Sequence, residues 1–222
     1  MTDHPSAAFY RVEGTLLARP TLAAAAYMAA NAQGISKRIG RLSNVAAAAP
    51  FAFAGNLVTG SFGTRMLWAG LRGMSDDRVS VLAEEYYEEY VRDEVLDIGL
   101  ELIRESRRRG QLVVLISDNI EPIIRPLADQ LGADEVVCNH LEYKRGEATG
   151  RLADPVVGGG LAGQWANSFA SERGLDLQNS CAYGAQASDG LLLSAIGQPC
   201  AVNPDRQLRR LATDHDWPIL ER

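Results

Sequence analysis

The chain has 222 residues, of which 46% are hydrophobic and 23% charged, a balance typical of a folded globular protein and not of a disordered one. Its formal net charge of −6 and its pI near 5.1 argue against broad nucleic-acid binding, because phosphate contacts need a concentrated basic face. This length suits one domain, with or without an inserted subdomain, and leaves little room for two unrelated domains.

The three cysteines, Cys138, Cys181 and Cys200, are odd in number and far apart in the sequence. This spacing predicts neither a disulfide framework nor a zinc site, and it favours a reducing, cytoplasmic location. The first residues lack a basic start followed by an apolar run, so we expect no signal peptide. We also expect no transmembrane segment, because a proline, an asparagine and three glycines interrupt the uncharged stretch 43–64.

The first predicted element is residues 7–17, AAFYRVEGTLL, which indicate a buried strand that ends in a sharp turn. An aromatic pair and a valine favour the strand, Gly14 permits a backbone that other residues resist, and Thr15 can bond the amides of the turn. In open α/β folds, the side chains at the end of such a strand lie at the edge of the sheet where ligands bind.

From residue 18 to about 110 the pattern is helical, and no strand is predicted. We interpret this segment as an inserted, all-helical cap, and we assign 1–17 together with 111–222 to a Rossmann-like core domain. Ser75 and two aspartates predict the start of the last helical stretch, which ends at Gly110 after three arginines. The apolar side chains of the cap, Phe51 and Phe53 among them, are candidates for contact with a partner.

From residue 111 onward, predicted strands and helices alternate, which is typical of an α/β fold with a parallel sheet. The apolar run 112–117 indicates a strand buried on both faces. Further strands are predicted over 134–143, 180–185 and 197–203, and helices over 121–132 and 162–174, each closed by a glycine. Asn203 is expected to cap a last helix that has Pro204 at its first position.

Four short motifs follow one another along the chain: RVEGT at 11–15, Ser117 at the end of the second strand, ATGRL at 148–152 and YGAQASD at 183–189. Together with the closing segment 201–220, they resemble the haloacid dehalogenase-like superfamily, and within it the phosphoserine phosphatase-like branch, over nearly the whole chain. The resemblance implies a three-layer, doubly wound parallel sheet with an inserted helical cap.

In that family the first segment reads D-x-D-G-T and the last Y-G-D-S-x-x-D, and their acidic residues act as nucleophile, proton donor and magnesium ligands. Glu13 and Asp189 match two of these acids. The degenerate positions are Arg11 in place of the nucleophile, Ala185 and Gln186 in place of the fourth-motif pair, and Ala162, with Gln164 nearby, in place of the third-motif lysine. The resemblance therefore implies no metal, no cofactor and an inactive, pseudophosphatase site.

A count of charges links these losses. Relative to the family site, arginine for aspartate adds two positive charges, alanine for aspartate removes one negative charge, and the loss of magnesium and lysine removes three positive charges, so the net charge is unchanged. We therefore hypothesise that the Arg11 guanidinium occupies the space of the metal and the lysine and pairs with Asp189, Glu13 or both. The alternative is that Arg11 points to solvent from a decayed strand end.

Three functions are compatible with this interpretation. The first is a catalytically inactive protein that binds a protein partner or a small apolar or anionic ligand. The second is a metal-independent enzyme with Glu13 as acid or base, Ser117 as hydrogen-bonding group and Arg11 as anion clamp. The third is a residual phosphatase that uses Asp118. The candidate ligand-binding residues are Arg11, Glu13, Ser117, Asp118 and Asp189. The sequence leaves homo-oligomerisation open.

Overall fold

The computed structural model describes residues 5–31, 35–54, 61–158 and 160–221, without the side chains of 35–38 and 50–54. The strands are β1 (Ala7–Arg11), β2 (Leu112–Ile120), β3 (Glu135–Asn139), β4 (Leu141–Lys144), β5 (Glu147–Leu152), β6 (Cys181–Gly184), β7 (Gln198–Val202) and β8 (Ile219–Leu220). The helices are α1 (Thr21–Ala30), α2 (Ile35–Ala54), α3 (Phe62–Ala69), α4 (Asp76–Tyr90), α5 (Asp97–Arg108), α6 (Glu121–Leu131), α7 (Leu161–Arg173), α8 (Gly190–Ala195) and α9 (Arg206–Asp214).

The main sheet has six strands in the order β3-β2-β1-β6-β7-β8, and every neighbouring pair is parallel. β1 lies between β2 and β6, and all five of its residues are buried, which explains its unbroken apolar run. Tyr10 belongs to the hydrophobic core on one face of the sheet, and its neighbour Phe9 belongs to the core on the other face. These two cores confirm the predicted three-layer α/β fold with a parallel sheet.

The turn after β1 has the conformation that Gly14 was predicted to allow. Its φ is +86°, and a Cβ at this position would lie 2.5 Å from the Ala185 Cβ, so any larger residue would collide. The prediction for Thr15 is wrong, because its Oγ1 is buried and bonds none of the turn's amides or any other described group. Instead, the Gly14 amide donates to the Leu17 carbonyl and closes the turn.

Five helices, α1 to α5, lie between β1 and β2, and the described part of residues 18–110 contains no strand. Ser75 is the predicted cap of α4 and accepts a hydrogen bond from the Arg78 amide at 3.3 Å. The helical stretch that follows is two helices, because residues 91–96 interrupt it before α5 begins at Asp97. Of the stretch 43–64, residues 43–54 belong to α2 and 62–64 to α3, and the side chains of Phe51 and Phe53 lie outside the described residues.

Two sequence predictions in the second half of the chain are wrong. The single strand expected over 134–143 is two strands, β3 in the main sheet and β4 in an antiparallel pair with β5. The last helix is capped by Asp205, whose Oδ1 accepts hydrogen bonds from the amides of Gln207 and Leu208 at 3.0 and 2.7 Å. Asn203 instead has a φ of 44° in the preceding turn. A carboxylate also suits the positive end of the helix dipole better than an amide does.

The structure bears on the predictions for the cysteines and for transmembrane segments. The three cysteines are free thiols, and all are buried. None of the helices in the described ranges has both the length and the apolar character that a membrane crossing requires.

Candidate functional site

Four charged side chains meet at the carboxyl ends of β1, β2 and β6. Arg11 ends β1, Glu13 follows it in the turn, Asp118 lies near the end of β2, and Asp189 lies in a 3₁₀ turn after β6. They converge because these three strands are parallel neighbours and therefore end at the same edge of the sheet. We refer to these four residues as the charge cluster.

Arg11 is the centre of the charge cluster and is only 1% exposed. Its Nε donates to Asp189 Oδ1 and its Nη2 to Asp118 Oδ1, both at 2.8 Å, and Glu13 Oε2 lies 3.7 Å from Nη2. Burial disfavours the charged guanidinium, but the three carboxylates outweigh burial and raise the pKa of Arg11. The hypothesis that Arg11 pairs with Asp189 and Glu13 is confirmed, and the alternative that it points to solvent is wrong.

Glu13 is 3% exposed, and both of its carboxylate oxygens have partners. Its Oε1 accepts hydrogen bonds from Ser117 Oγ at 2.5 Å, Asn119 Nδ2 at 2.9 Å and Thr21 Oγ1 at 3.3 Å. Its Oε2 accepts from the Asp118 amide at 3.4 Å and faces Arg11. Burial raises the pKa of the Glu13 carboxyl, and the nearby Arg11 only partly opposes this effect.

Asp189 joins Arg11 to the loop that follows β6. Its Oδ1 accepts from Arg11, and its Oδ2 accepts from the amides of Ala185 and Gln186, both at 2.9 Å. Burial raises the pKa of Asp189, and Arg11 and the two amides oppose the rise. Ala185 therefore contributes only its backbone to the site.

The residues at this edge do not fit magnesium. Magnesium requires several oxygen ligands in octahedral geometry, whereas the oxygens that face the centre of the charge cluster already accept hydrogen bonds from Arg11, which is a permanent cation with no lone pair to offer a metal. Among the described residues, no set of three or more histidine, cysteine, aspartate or glutamate side chains is arranged to hold a metal ion. The guanidinium of Arg11 is thus the cation around which these carboxylates are arranged.

The third-motif position lies outside the charge cluster. Ala162, on α7, is buried in the core between the sheet and helices α7 to α9. Gln164 is exposed and lines a separate groove of about 330 Å³ beside Trp165. Neither residue hydrogen-bonds a member of the charge cluster in the part of the chain that the structure describes.

The structure adds site residues that the sequence did not indicate. The Asp118 carbonyl accepts hydrogen bonds from Trp68 Nε1, on α3, at 3.2 Å and from Asn139 Nδ2 at 2.9 Å. Asn139 also exchanges two hydrogen bonds with the backbone of Val157, at 2.8 and 2.9 Å, and so ties the end of β3 to the loop after β5. Only Asn119 had a local signal, because it follows Ser117 by two residues. Trp68 and Asn139 come from segments whose distance to the site cannot be read from sequence.

This arrangement is closed and internally paired. Arg11 and Glu13 are at most 3% exposed, and the Asp118 side chain, at 14%, is the most accessible member of the charge cluster. Each of the three carboxylates of the charge cluster forms an ion pair with Arg11. The geometry stabilises the junction of three strands and one helix, α3.

Comparison with known proteins gives a family and several relatives. The model of the haloacid dehalogenase-like hydrolase family matches residues 8–194. The inhibition of morphological differentiation protein of Streptomyces azureus is 32% identical over 68% of this chain and 54% of its own length. Phosphoserine phosphatase SerB1 of Mycobacterium tuberculosis is 32% identical over 71% of this chain and 51% of its own length. The chain thus spans about half the length of the curated relatives it matches.

Solved structures agree with this family. A Bordetella pertussis protein of unknown function superposes with a TM-score of 0.83 at 21% identity and covers 98% of both chains. A substrate-bound phosphoserine phosphatase superposes with a TM-score of 0.73 at 20% identity and covers 98% of this chain and 93% of its own. At these identities the likeness shows the fold alone.

Proposed function

Because the chain belongs to the haloacid dehalogenase-like hydrolase family, we propose that it is a member without phosphatase activity that acts by binding a partner. The observation that carries this proposal is the buried Arg11, which stands at the position of the family's nucleophile and bonds Asp189 and Asp118 at 2.8 Å. In this proposal the guanidinium replaces the metal and the lysine as the cation of the site, and its role is structural.

The expected loss of chemistry is large. A guanidinium cannot attack phosphorus, and removal of a nucleophile together with its helpers typically lowers the rate by about six orders of magnitude. The carboxylates that remain are engaged by Arg11, by backbone amides and by side chains of Ser117 and Asn119. These contacts support the proposal that the Arg11 guanidinium is the cation of this site.

The alternative of a metal-independent enzyme has weaker support. It needs Arg11 or Glu13 to contact a substrate, and both are at most 3% exposed with their polar atoms bonded. A residual phosphatase that uses Asp118 also has weaker support, because the Asp118 carboxylate is paired with Arg11. The proposal therefore places binding on surfaces outside the charge cluster.

The proposal includes the division of the chain. We take residues 1–17 and 111–222 as the core and 18–110 as a helical cap. In support of this division, α3 of that segment contacts the core through Trp68 Nε1 and the Asp118 carbonyl. A Cβ on Gly158 would also lie 2.3 Å from Thr64 Oγ1, so the loop after β5 and α3 approach each other closely.

The test combines metal binding with turnover. Calorimetry with magnesium and beryllium fluoride should show no saturable binding, and assays with a generic aryl phosphate should show no turnover above buffer. An active phosphoserine phosphatase serves as the positive control under the same conditions. Saturable magnesium binding at micromolar concentration, or turnover that disappears in Asp189→Asn, would overturn the proposal.

A further inference from the structure

The charges of the chain are divided unevenly along the sequence. Residues 14–75, which include helices α1 to α3, contain six basic residues and no acidic residue. All 28 acidic residues and the other sixteen basic residues lie outside this segment. The segment therefore has a net charge of +6, whereas the rest of the chain has a net charge of −12. A partner that approaches α1 to α3 is selected for negative charge.

Helix α2 has an apolar face on the side that is open to solvent. Val45 and Ala48 are buried and belong to the hydrophobic core, which holds the other side of the helix against the protein. Ile39 is 61% exposed and Leu42 is 37% exposed, and their spacing of three residues places them on one side of the helix. A surface helix usually directs charged and polar residues outward, but no charged residue occurs from 42 to 64. These exposed apolar side chains add little buried area to the fold.

Basic side chains lie beside this apolar face. Arg41 belongs to the same turn of α2, and its Nη2 donates to the Arg72 carbonyl at 3.2 Å, so the backbone that follows α3 lies next to this turn. The Arg72 side chain is exposed. Within the described ranges, the one ion pair made by the segment 14–75 is that of Arg65 with Asp154. Arg41 and Arg72 therefore keep charges that no described carboxylate neutralises.

We propose that the exposed face of α2 binds the surface of a membrane that contains anionic lipids. Ile39 and Leu42 would enter the boundary between the head groups and the acyl chains, and Arg41 and Arg72 would face the lipid phosphates. None of the described helices is suited to cross a membrane, so the contact is with the surface. The net negative charge of the chain does not prevent this contact, because salt screens charges beyond about 8–10 Å.

A lipid surface suits this face better than a protein or a nucleic acid does. Protein interfaces depend on large anchors, above all tryptophan, tyrosine and arginine, that fill well-packed pockets. The exposed residues in the described part of α2 are isoleucine, leucine, alanine, serine and glycine, with no aromatic residue among them. They provide apolar area without a distinctive shape, which is sufficient for a lipid boundary. A nucleic acid would satisfy the arginines but would leave the apolar side chains in water.

The experiment mixes the purified full chain with lipid vesicles and separates bound from free protein by sedimentation. One vesicle preparation is phosphatidylcholine alone, and the other contains equal parts of phosphatidylcholine and the anionic phosphatidylglycerol. Binding is measured over a series of lipid concentrations, at low and at physiological salt. We expect saturable binding to the anionic vesicles that weakens as salt rises, and binding to the neutral vesicles that is weaker by about fivefold or more at low salt.

The first pair of variants tests the apolar face. We expect Ile39→Glu/Leu42→Glu to weaken binding to the anionic vesicles by about fivefold or more, because it removes apolar contacts and adds negative charge. The matched control is Val81→Glu/Leu191→Glu, which changes the net charge equally at side chains that are 45% and 62% exposed. These positions lie on α4 and α8, so we expect the control to weaken binding by less than about twofold.

The second pair of variants tests the basic side chains. We expect Arg41→Gln/Arg72→Gln to weaken binding to the anionic vesicles by about threefold or more at low salt. The matched control, Arg206→Gln/Arg210→Gln, removes the same charge from exposed positions of α9, on the other face of the main sheet. We expect the control to weaken binding by less than about twofold. Thermal unfolding checks that all four double variants are folded.

The outcomes separate this inference from the proposed function, beyond which it goes. No binding to the anionic vesicles, equal binding to both vesicle preparations at low salt, or equal losses in a variant and its control would each overturn the membrane site. Sedimentation velocity without lipid tests the other occupant of this face. A dimer that Ile39→Glu/Leu42→Glu dissociates and its control does not would assign the face to a second copy of the chain, and would also overturn the membrane site. Turnover with magnesium in the same wild-type preparation would overturn the proposed function and leave the membrane site in place.

Discussion

The charge cluster and the surface of α4 both contain several carboxylates, which are buried in the cluster and exposed on α4. In the cluster, three carboxylates surround one buried guanidinium, and their oxygens have partners inside the protein. On α4 and the turn after it, eight exposed acids have one ion pair between them among the described residues. A buried charge without a partner is costly, whereas an exposed one is hydrated. We therefore expect the first region to contribute to fold stability and the second to contribute little.

Among the variants that test this contrast, Arg11→Asp is expected to have the largest effect on stability. The change would place four carboxylates together in a buried site with no counter-charge, so we expect the free energy of unfolding to fall by roughly 3–5 kcal/mol. We expect no phosphatase turnover, because Ala162 and Ala185 still lack the lysine and the acid. Chemical denaturation and an aryl phosphate assay measure the two effects. A stable variant with recovered turnover would contradict both expectations.

Asp189→Asn tests the most deeply paired carboxylate. Asparagine is uncharged and has one accepting oxygen, so it cannot accept from both Arg11 Nε and the two amides, and we expect a loss of about 2–4 kcal/mol in the free energy of unfolding. Asp118→Asn is the matched control. Its side chain is 14% exposed, so water can compensate, and we expect about half that loss. Equal losses would show that the stability contributed by each carboxylate does not depend on how deeply it is buried.

Trp68→Phe tests the link between α3 and the charge cluster. The variant lacks the indole N–H that donates to the Asp118 carbonyl, but this carbonyl keeps its bond from Asn139. We expect a loss of about 1–2 kcal/mol in the free energy of unfolding, from the hydrogen bond and the smaller ring. Trp165→Phe, at a half-buried position on α7, is the control. A smaller loss for Trp68→Phe than for the control would argue against the link.

Glu13→Gln tests the pKa of a buried acid. Because burial raises the pKa of Glu13, the folded protein holds this proton more tightly than the unfolded chain does. The resulting stability is complete below the unfolded pKa of about 4.3 and is lost as the pH rises through the folded pKa. Glutamine does not titrate, so from about pH 4 to 7 we expect the difference in unfolding free energy to move in favour of the variant by about 1 kcal/mol or more. A difference that does not vary with pH would contradict the raised pKa.

The smallest expected effect is that of Glu84→Gln on stability. Glu84 is exposed on α4 and makes no ion pair with any described residue, so we expect a change within about 0.5 kcal/mol in the free energy of unfolding. Thermal unfolding beside Asp189→Asn provides the direct comparison. A loss as large as that of Asp189→Asn would remove the distinction between the two regions.

Sequence reasoning predicted the pairing of Arg11 with Asp189 from the balance of charges among the substituted motif positions and from the need of a buried arginine for carboxylate partners. It did not predict that Asp118 would be closer to Arg11 than Glu13 is, at 2.8 against 3.7 Å, because side-chain rotamers decide between two nearby acids. It predicted Asn203 as a helix cap because Pro204 follows it, whereas the cap in the structure is Asp205, two positions further on.

For the secondary structure too, local features were predicted correctly and those that depend on distant residues were missed. Hydrophobic pattern and strand alternation are local signals, and they predicted β1, β2 and the parallel sheet correctly. Asn139, the last residue of β3 before the break at His140, donates hydrogen bonds to the carbonyls of Asp118 and Val157, which are distant in the sequence. Contacts over such separations in the chain leave no periodic signal in the sequence.

The acids of α4 and of the turn after it carry a net charge equal to that of the whole chain, so the charge of the molecule is unevenly distributed. A body whose remaining residues sum to zero charge, with its whole excess on one short segment, presents a directed field to its surroundings. Positively charged bodies are drawn toward that face before any contact forms, over about the 8–10 Å that ions in solution leave unscreened. A positively charged molecule is thus attracted to the face that carries the α4 acids before it touches the protein.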